Sequence, residues 1–206
     1  MTSPLTLISL PLFPLHAVLF PGGHLPLRVF EARYRNMVHG CREAGAPFGV
    51  VTLLSGQEIH QPHLPPETFY ATGTIAAIDS LSPLSTGLEL LHCSGRERFH
   101  IATARKLPLG LWVADVELLP ADHTIPIPSY LRHTATTLRL VLQKIPQNHL
   151  EGATDAQFAD CGWVANRWCE LLPMERKLQL CLLELDSPLV RLELVADTLE
   201  RAGITP

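Results

Sequence analysis

The sequence lacks the glycine-rich loop, with its following lysine and serine or threonine, that surrounds a bound phosphate. Gly22-Gly23 has neither that spacing nor the lysine, and a glycine pair is typical of a turn. The close histidine and cysteine pairs also lack the matched second pair that is typical of zinc sites. They are His39 with Cys41, His60 with His63, and His92 with Cys93. No cofactor and no metal are therefore expected.

A catalytic signature is missing as well, since no Gly-x-Ser-x-Gly motif is present. A cysteine and histidine pair would have to be assembled by the fold. The candidate acids Glu31, Glu58, Asp79 and Glu97 show no spacing that brings any two together, which favours solvated carboxylates. The sequence predicts no catalytic residue and a protein that is not an enzyme, with a small hydrolase as an alternative.

Targeting and membrane segments are absent from the pattern. Residues 1–20 contain no lysine or arginine and are broken by Pro4, Pro11 and Pro14, unlike a secretion signal. No stretch reaches the roughly 18 apolar residues that a membrane span requires. The five cysteines are odd in number and widely spaced, which is typical of a reduced protein. A soluble, cytoplasmic protein without membrane contact is expected.

An excess of positive charge is also missing, because the formal net charge is -4. There are eight basic and nine acidic residues up to Pro120, and eight and eleven after it. The densest basic cluster is Arg96, Arg98, Arg105 and Lys106, and Glu97 partly offsets it. Phosphate contacts need clustered lysine or arginine, so no nucleic-acid partner is expected.

Short apolar runs bounded by glycine, proline and serine dominate the first half of the chain and predict strands. The predicted strands are 6–10, 25–29, 48–54, 72–77, 88–93, 99–106 and 111–118. Ser94-Gly95 is predicted to be a hairpin turn. One helix interrupts the strands, because Phe30, Tyr34, Met37 and Cys41 recur at helical spacing and Gly45 follows as a stop. Its aromatic side chains are expected to face the core.

After Pro120 the period becomes helical. Ser129 is a candidate cap for a helix ending at Pro146, and Thr154 with Gln157 has capping-box spacing. Pro173 and Ser187-Pro188 are predicted to begin two further helices. The sequence thus predicts an α+β protein with a β-rich domain at residues 1–120 and a helical bundle at 121–206.

The order of several stretches resembles the N-terminal substrate-binding domain of the ATP-dependent Lon proteases. The most specific is LPLFPLHAVLFPGGHLPLRVFEARYRNMV at residues 10–38, with Pro-x-Phe-Pro, Pro-Gly, Leu-Pro-Leu and Phe-Glu-x-Arg-Tyr in the family's order. The other stretches are FGVV at 48–51, GTIAAI at 73–78, CSGRERFHI at 93–101 and VADVELLP at 113–120. A weaker match covers the helical segment 171–199. The resemblance therefore extends over nearly the whole chain.

The resemblance implies a six-stranded, PUA-like pseudo-barrel with one packed helix, followed by a helical bundle. It also implies a stand-alone module that binds unfolded or degron-bearing polypeptide, or a protease or ATPase, without the ATPase and protease modules of Lon. Alternatives are a PUA-like RNA-binding module and an adaptor for a specific folded partner. The candidate polypeptide-binding rim is Phe20, Arg28, Glu31, Arg33 and Tyr34.

Overall fold

A computed structural model describes residues 5–58, 67–145 and 153–204. The six strands are β1 Thr6–Leu15, β2 His24–Val29, β3 Phe48–Ser55, β4 Thr68–Ser85, β5 Leu88–Lys106 and β6 Trp112–Leu118. The helices are α1 Ala32–Ala44, α2 Arg132–Lys144, α3 Asp155–Phe158, α4 Cys161–Leu171, α5 Arg176–Glu184 and α6 Pro188–Arg201. The predicted α+β class is confirmed.

The six strands form one sheet in the order β2-β5-β4-β3-β1-β6, and β6 pairs with β5 as well as with β1. Five strands therefore close into a ring, while β2 pairs with β5 outside it. This arrangement is possible because β5 is 19 residues long. Residues 89–94 of β5 pair with β2 and residues 99–106 pair with β6, while β4 pairs with β5 from Leu88 to His100.

The predicted hairpin turn at Ser94-Gly95 is wrong, because both residues lie inside β5. The turn that leads into β5 instead contains Gly87, whose φ of 79° favours glycine. At Gly95 the glycine serves close packing, since a Cβ there would lie 2.3 Å from the carbonyl oxygen of Phe20. A glycine inside a strand marks such a close backbone approach as well as it marks a turn.

Helix α1 packs on the sheet through the side chains that the helical spacing predicts. Tyr34, Met37 and Cys41 are buried, and Tyr34 stacks on Phe13 of β1 with ring centroids 4.1 Å apart. Gly45 ends the helix in the left-handed conformation, with φ of 60°, as predicted. The position of α1 is therefore fixed by its own core-facing side and by its glycine stop.

The helices after Pro120 begin at some predicted positions and not at others. Thr154 and Gln157 form the predicted capping box, and Ser187 caps α6 with Pro188 in its first turn. The prediction for Ser129 is wrong, because it lies in a 3₁₀ turn and the N-cap residue of α2 is Leu131. Helix α5 begins at Arg176 rather than at Pro173. The predicted helix end at Pro146 lies outside the described residues.

Internal contacts divide the chain into two compact units, Met1–Ala121 and Asp122–Pro206. The first holds the sheet and α1, and the second holds α2 to α6. In the second unit, α4 and α6 pack together, and the buried Arg191 of α6 donates hydrogen bonds to Asn166 and Asp122. No helix within the described residues is long and apolar enough to cross a bilayer.

Candidate functional site

An open groove lies in the first unit where β2 leads into α1. We call it the β2–α1 groove, and its cavity volume is about 260 Å³. It is lined by Phe13, Leu15, Pro26, Leu27, Arg28, Val29, Phe30, Glu31, Tyr34 and Glu58. Three residues of the predicted rim, Arg28, Glu31 and Tyr34, are thus brought together in one cavity.

Phe30 is the exposed aromatic residue of the groove, and it is 49% exposed. The expectation that Phe30 faces the core is therefore wrong. Phe30 lies between β2 and α1, so it continues the alternation of exposed and less exposed side chains along β2. Its neighbour Val29 is buried, and Phe30 therefore points to the exposed side. Counting by two from Arg28 would have found this exposed position. An exposed aromatic beside the buried rings of Phe13 and Tyr34 makes this wall apolar and accessible.

The groove also has a charged part. Glu31 is the residue before α1, and its carboxylate lies 3.3 Å from Nη2 of Arg33. Arg33 is buried under the groove, where its Nη1 donates to the carbonyl of Gly110 at 2.7 Å. Its Nη2 also donates to the backbone carbonyl of Glu58 at 3.2 Å. Arg33 therefore holds the start of α1 to two loops and keeps the Glu31 carboxylate at the groove.

A buried carboxylate, Glu67, extends this charge network. Its carboxylate lies 3.7 Å from Nη1 of Arg33 and accepts a hydrogen bond from Lys106 Nζ at 2.6 Å and from Trp112 Nε1 at 3.3 Å. Burial raises the pKa of Glu67, but the hydrogen bonds from Lys106, the backbone and Trp112 outweigh it, so the pKa falls to about 2. Glu67 is therefore ionised at neutral pH, and no spacing in the sequence predicted this cluster.

Two residues of the predicted rim do not line the groove. Phe20 is fully buried, so its side chain offers no surface to a partner. Arg33 lies beneath the groove and acts on it through Glu31 and the backbone of Glu58. Arg28, by contrast, has an exposed side chain on β2. The accessible part of the predicted rim is Arg28 and Glu31, with Tyr34 behind them.

Four of the five cysteines are buried and poorly suited to nucleophilic chemistry, while Cys181 is exposed. Burial raises the thiol pKa of Cys93 to about 12 and that of Cys161 to about 11, and burial also raises the pKa values of Cys41 and Cys169. A thiol with a raised pKa forms little thiolate at neutral pH. No group of three or more metal-binding side chains occurs among the residues that the structure describes, which do not include His60 and His63.

Comparison with known proteins identifies one family model and similar solved structures. The family model of the ATP-dependent protease La (LON) substrate-binding domain matches residues 9–201. The crystal structure of a Lon N-terminal domain protein from Xanthomonas campestris is similar, at 32% identity and a TM-score of 0.74, covering 93% of this chain and 98% of that one. No significant match was found among curated proteins.

A second solved structure shares the fold at lower identity. The N-terminal domain of the Mycobacterium avium complex Lon protease aligns with a TM-score of 0.62 and 16% identity, over 92% of this chain and 96% of that one. The family model and the first structure both extend over most of the 206 residues. The chain therefore belongs to the family of the ATP-dependent protease La (LON) substrate-binding domain.

Proposed function

We propose that this protein is a non-enzymatic module that recognises unfolded or degron-bearing polypeptide through the β2–α1 groove. Membership of a substrate-binding domain family supports a polypeptide-recognition role. One observation carries the choice of this site: Phe30, which lines the groove, is half exposed. Aromatic anchors at the edge of a pocket are the residues that most often dominate binding energy.

The groove combines an apolar wall with charges of both signs. Phe30, Leu27 and Leu15 offer apolar surface, while Arg28 and Glu31 lie at its margin. Unfolded segments expose apolar side chains together with backbone polar groups, so a surface of this kind fits them better than it fits a polyanion. A groove of this size supports weak binding, with a dissociation constant on the order of micromolar.

The proposal extends to architecture and partners. The closed sheet would be a PUA-like pseudo-barrel and the helices of the second unit a bundle, as the family resemblance implies. A protease or ATPase would receive the bound polypeptide. RNA is the weaker candidate, because Arg98 is buried and donates to the carbonyl of Pro120, while Lys106 pairs with Glu67.

The test is fluorescence anisotropy of a labelled polypeptide kept unfolded by reduction and carboxymethylation of its cysteines. Saturable binding to this protein without nucleotide is expected, and no binding to the folded form of the same polypeptide. Phe30→Ala is expected to weaken binding by about tenfold, because the exposed anchor is lost. Its thermal midpoint should stay close to that of the wild type, since half of the ring is in solvent.

The matched control is Ile8→Ala. Ile8 is 79% exposed and lies at the start of β1, away from the groove residues Phe13 and Leu15. This variant should bind like the wild type. Equal weakening by both substitutions would mean that exposed apolar surface binds without a defined site, and absence of binding at high micromolar concentration would refute the proposed function.

A further inference from the structure

Strand β2 has one edge without a strand partner among the described residues. It is the first strand in the order of the sheet and pairs with β5 alone. An edge strand presents backbone N–H and C=O groups that an extended chain can pair with. Pro26, in the middle of β2, is typical of such an edge, because proline cannot donate to a ladder.

The register of β2 on β5 shows which backbone groups point outward. Gly95 N–H donates to the carbonyl of Gly23 at 2.8 Å, and these two residues are in register with the β2–β5 pairs. Hydrogen-bonded pairs alternate along an antiparallel ladder, so Leu25 and Leu27 turn their backbone groups towards β5. His24, Pro26 and Arg28 then turn theirs towards the free edge, in agreement with the missing N–H of Pro26. That edge offers two donors and three acceptors.

The β2–α1 groove runs along this same edge. Its lining includes the consecutive residues Pro26, Leu27, Arg28 and Val29. One face of a strand presents only every second residue, so a cavity lined by consecutive residues lies beside the strand and not on one face of it. The cavity continues to Phe30, the residue that follows β2. The backbone of Pro26 and Arg28 and the apolar side chain of Phe30 therefore belong to one cavity.

We propose that the free edge of β2 binds an extended polypeptide segment as an added strand, with an apolar side chain of that segment packed against Phe30. This inference rests on the proposed function and specifies its mode. Main-chain hydrogen bonds recognise any extended segment, whereas a pocket selects one side chain. Such a site accepts many unfolded sequences and disfavours folded proteins, most of whose strands are already paired on both sides.

Amide hydrogen exchange of the full-length protein, followed residue by residue by NMR, tests the mode directly. Saturating unfolded, carboxymethylated polypeptide is expected to slow exchange at His24 and Arg28 by at least about tenfold, because their N–H groups gain partners. The amides of Leu25 and Leu27 serve as internal references, since they face β5 with or without ligand. Unchanged exchange at His24 and Arg28 at saturation would overturn the proposed mode.

Two substitutions at one position give an independent test. Arg28→Pro removes both the guanidinium and the outward N–H, whereas Arg28→Ala removes the guanidinium alone. Strand addition predicts that Arg28→Pro binds the polypeptide at least about fivefold more weakly than Arg28→Ala. Equal affinities would overturn the mode while leaving the proposed function intact, and failure of the wild type to bind would refute both. If Arg28→Pro does not fold, the exchange experiment decides.

Discussion

Arg33 is the residue on which the geometry of the groove depends most. Its guanidinium contacts the Glu31 and Glu67 carboxylates and the carbonyls of Gly110 and Glu58, so it joins the start of α1 to parts of the chain far apart in sequence. A buried cation of this kind is tolerated because acceptors meet both of its terminal nitrogens, Nη1 and Nη2. Substitutions around Arg33 should therefore change the free energy of unfolding and the way in which it depends on pH.

Glu67→Gln tests the buried carboxylate. The folded-state pKa of Glu67 is lowered to about 2, so its contribution to stability is complete above the unfolded pKa of about 4.5 and is lost as the pH falls through 2. At pH 7 the variant should be less stable by on the order of 2 to 3 kcal/mol. The difference from wild type should shrink between pH 4.5 and 2.

Urea unfolding at pH 7, 4 and 3 measures this difference. Glu97→Gln is the control, because Glu97 is exposed on β5 and its substitution should change stability little. A loss of unfolding free energy in Glu67→Gln that does not change with pH would show that packing, and not the charge of the carboxylate, stabilises this cluster.

Gly95→Ala tests the close approach of β5 to the loop before β2. A Cβ at this position would lie 2.3 Å from the backbone oxygen of Phe20, which cannot move as a flexible side chain could. We expect a loss of about 2 to 4 kcal/mol, measured by thermal unfolding. Gly40→Ala in α1 is the matched control, since its Cβ would meet nothing within 4 Å. It should be neutral or stabilising by up to about 1 kcal/mol.

At the level of elements, features that depend on neighbouring residues could be predicted from the sequence. Features that depend on contacts with distant residues could not. The spacing of Tyr34, Met37 and Cys41 located α1, and Gly45 located its end. The extent of β5 could not be predicted, because a break at Ser94-Gly95 looks the same whether the glycine forms a turn or approaches another backbone. Of the predicted rim, Arg28, Glu31 and Tyr34 line the groove, whereas Leu15 and Glu58, which the sequence did not indicate, reach it only through tertiary structure.

Helix α4 offers a prediction about capping. The carboxylate of Asp160 accepts hydrogen bonds from Trp163 N–H and Ile125 N–H, both at 2.9 Å. Asp160→Ala removes both acceptors, so we expect a loss of about 2 kcal/mol. Thr154→Ala, at the exposed cap of the four-residue helix α3, should cost about 1 kcal/mol or less. Tryptophan fluorescence during urea unfolding compares the two, and a larger cost at Thr154 would contradict this ranking.

At the scale of the whole molecule, the division into two units predicts that a substitution in one unit can leave the other intact. The groove lies within Met1–Ala121, whereas the most buried ion pair of the second unit joins Arg191 and Asp122. Arg191 also donates to Asn166 Oδ1 at 2.9 Å and to the carbonyl of Leu182 at 2.9 Å. The second unit is thus stabilised around a buried arginine of its own.

Arg191→Met should destabilise the second unit by about 3 to 5 kcal/mol, because removing one partner of a buried ion pair leaves the other uncompensated. The fluorescence of Trp163 and Trp168, both in α4, should report an earlier unfolding transition. Binding of unfolded polypeptide at 25 °C should stay within about twofold of the wild type. Arg201→Met, exposed in the last turn of α6, should change neither property. Loss of binding in Arg191→Met would mean that recognition also needs the second unit.

The closure of the sheet by β6 has a consequence for synthesis on the ribosome. Thr6 of β1 pairs with Glu117 of β6, about 110 residues further along the chain. At roughly 5 to 20 residues per second, β1 emerges some 5 to 20 seconds before its β6 partner exists. β3, which pairs with the other edge of β1, is made earlier, but the edge of β1 that faces β6 has no partner during that interval. A protein proposed to bind extended segments thus exposes an unpaired strand edge of its own until β6 has been synthesised.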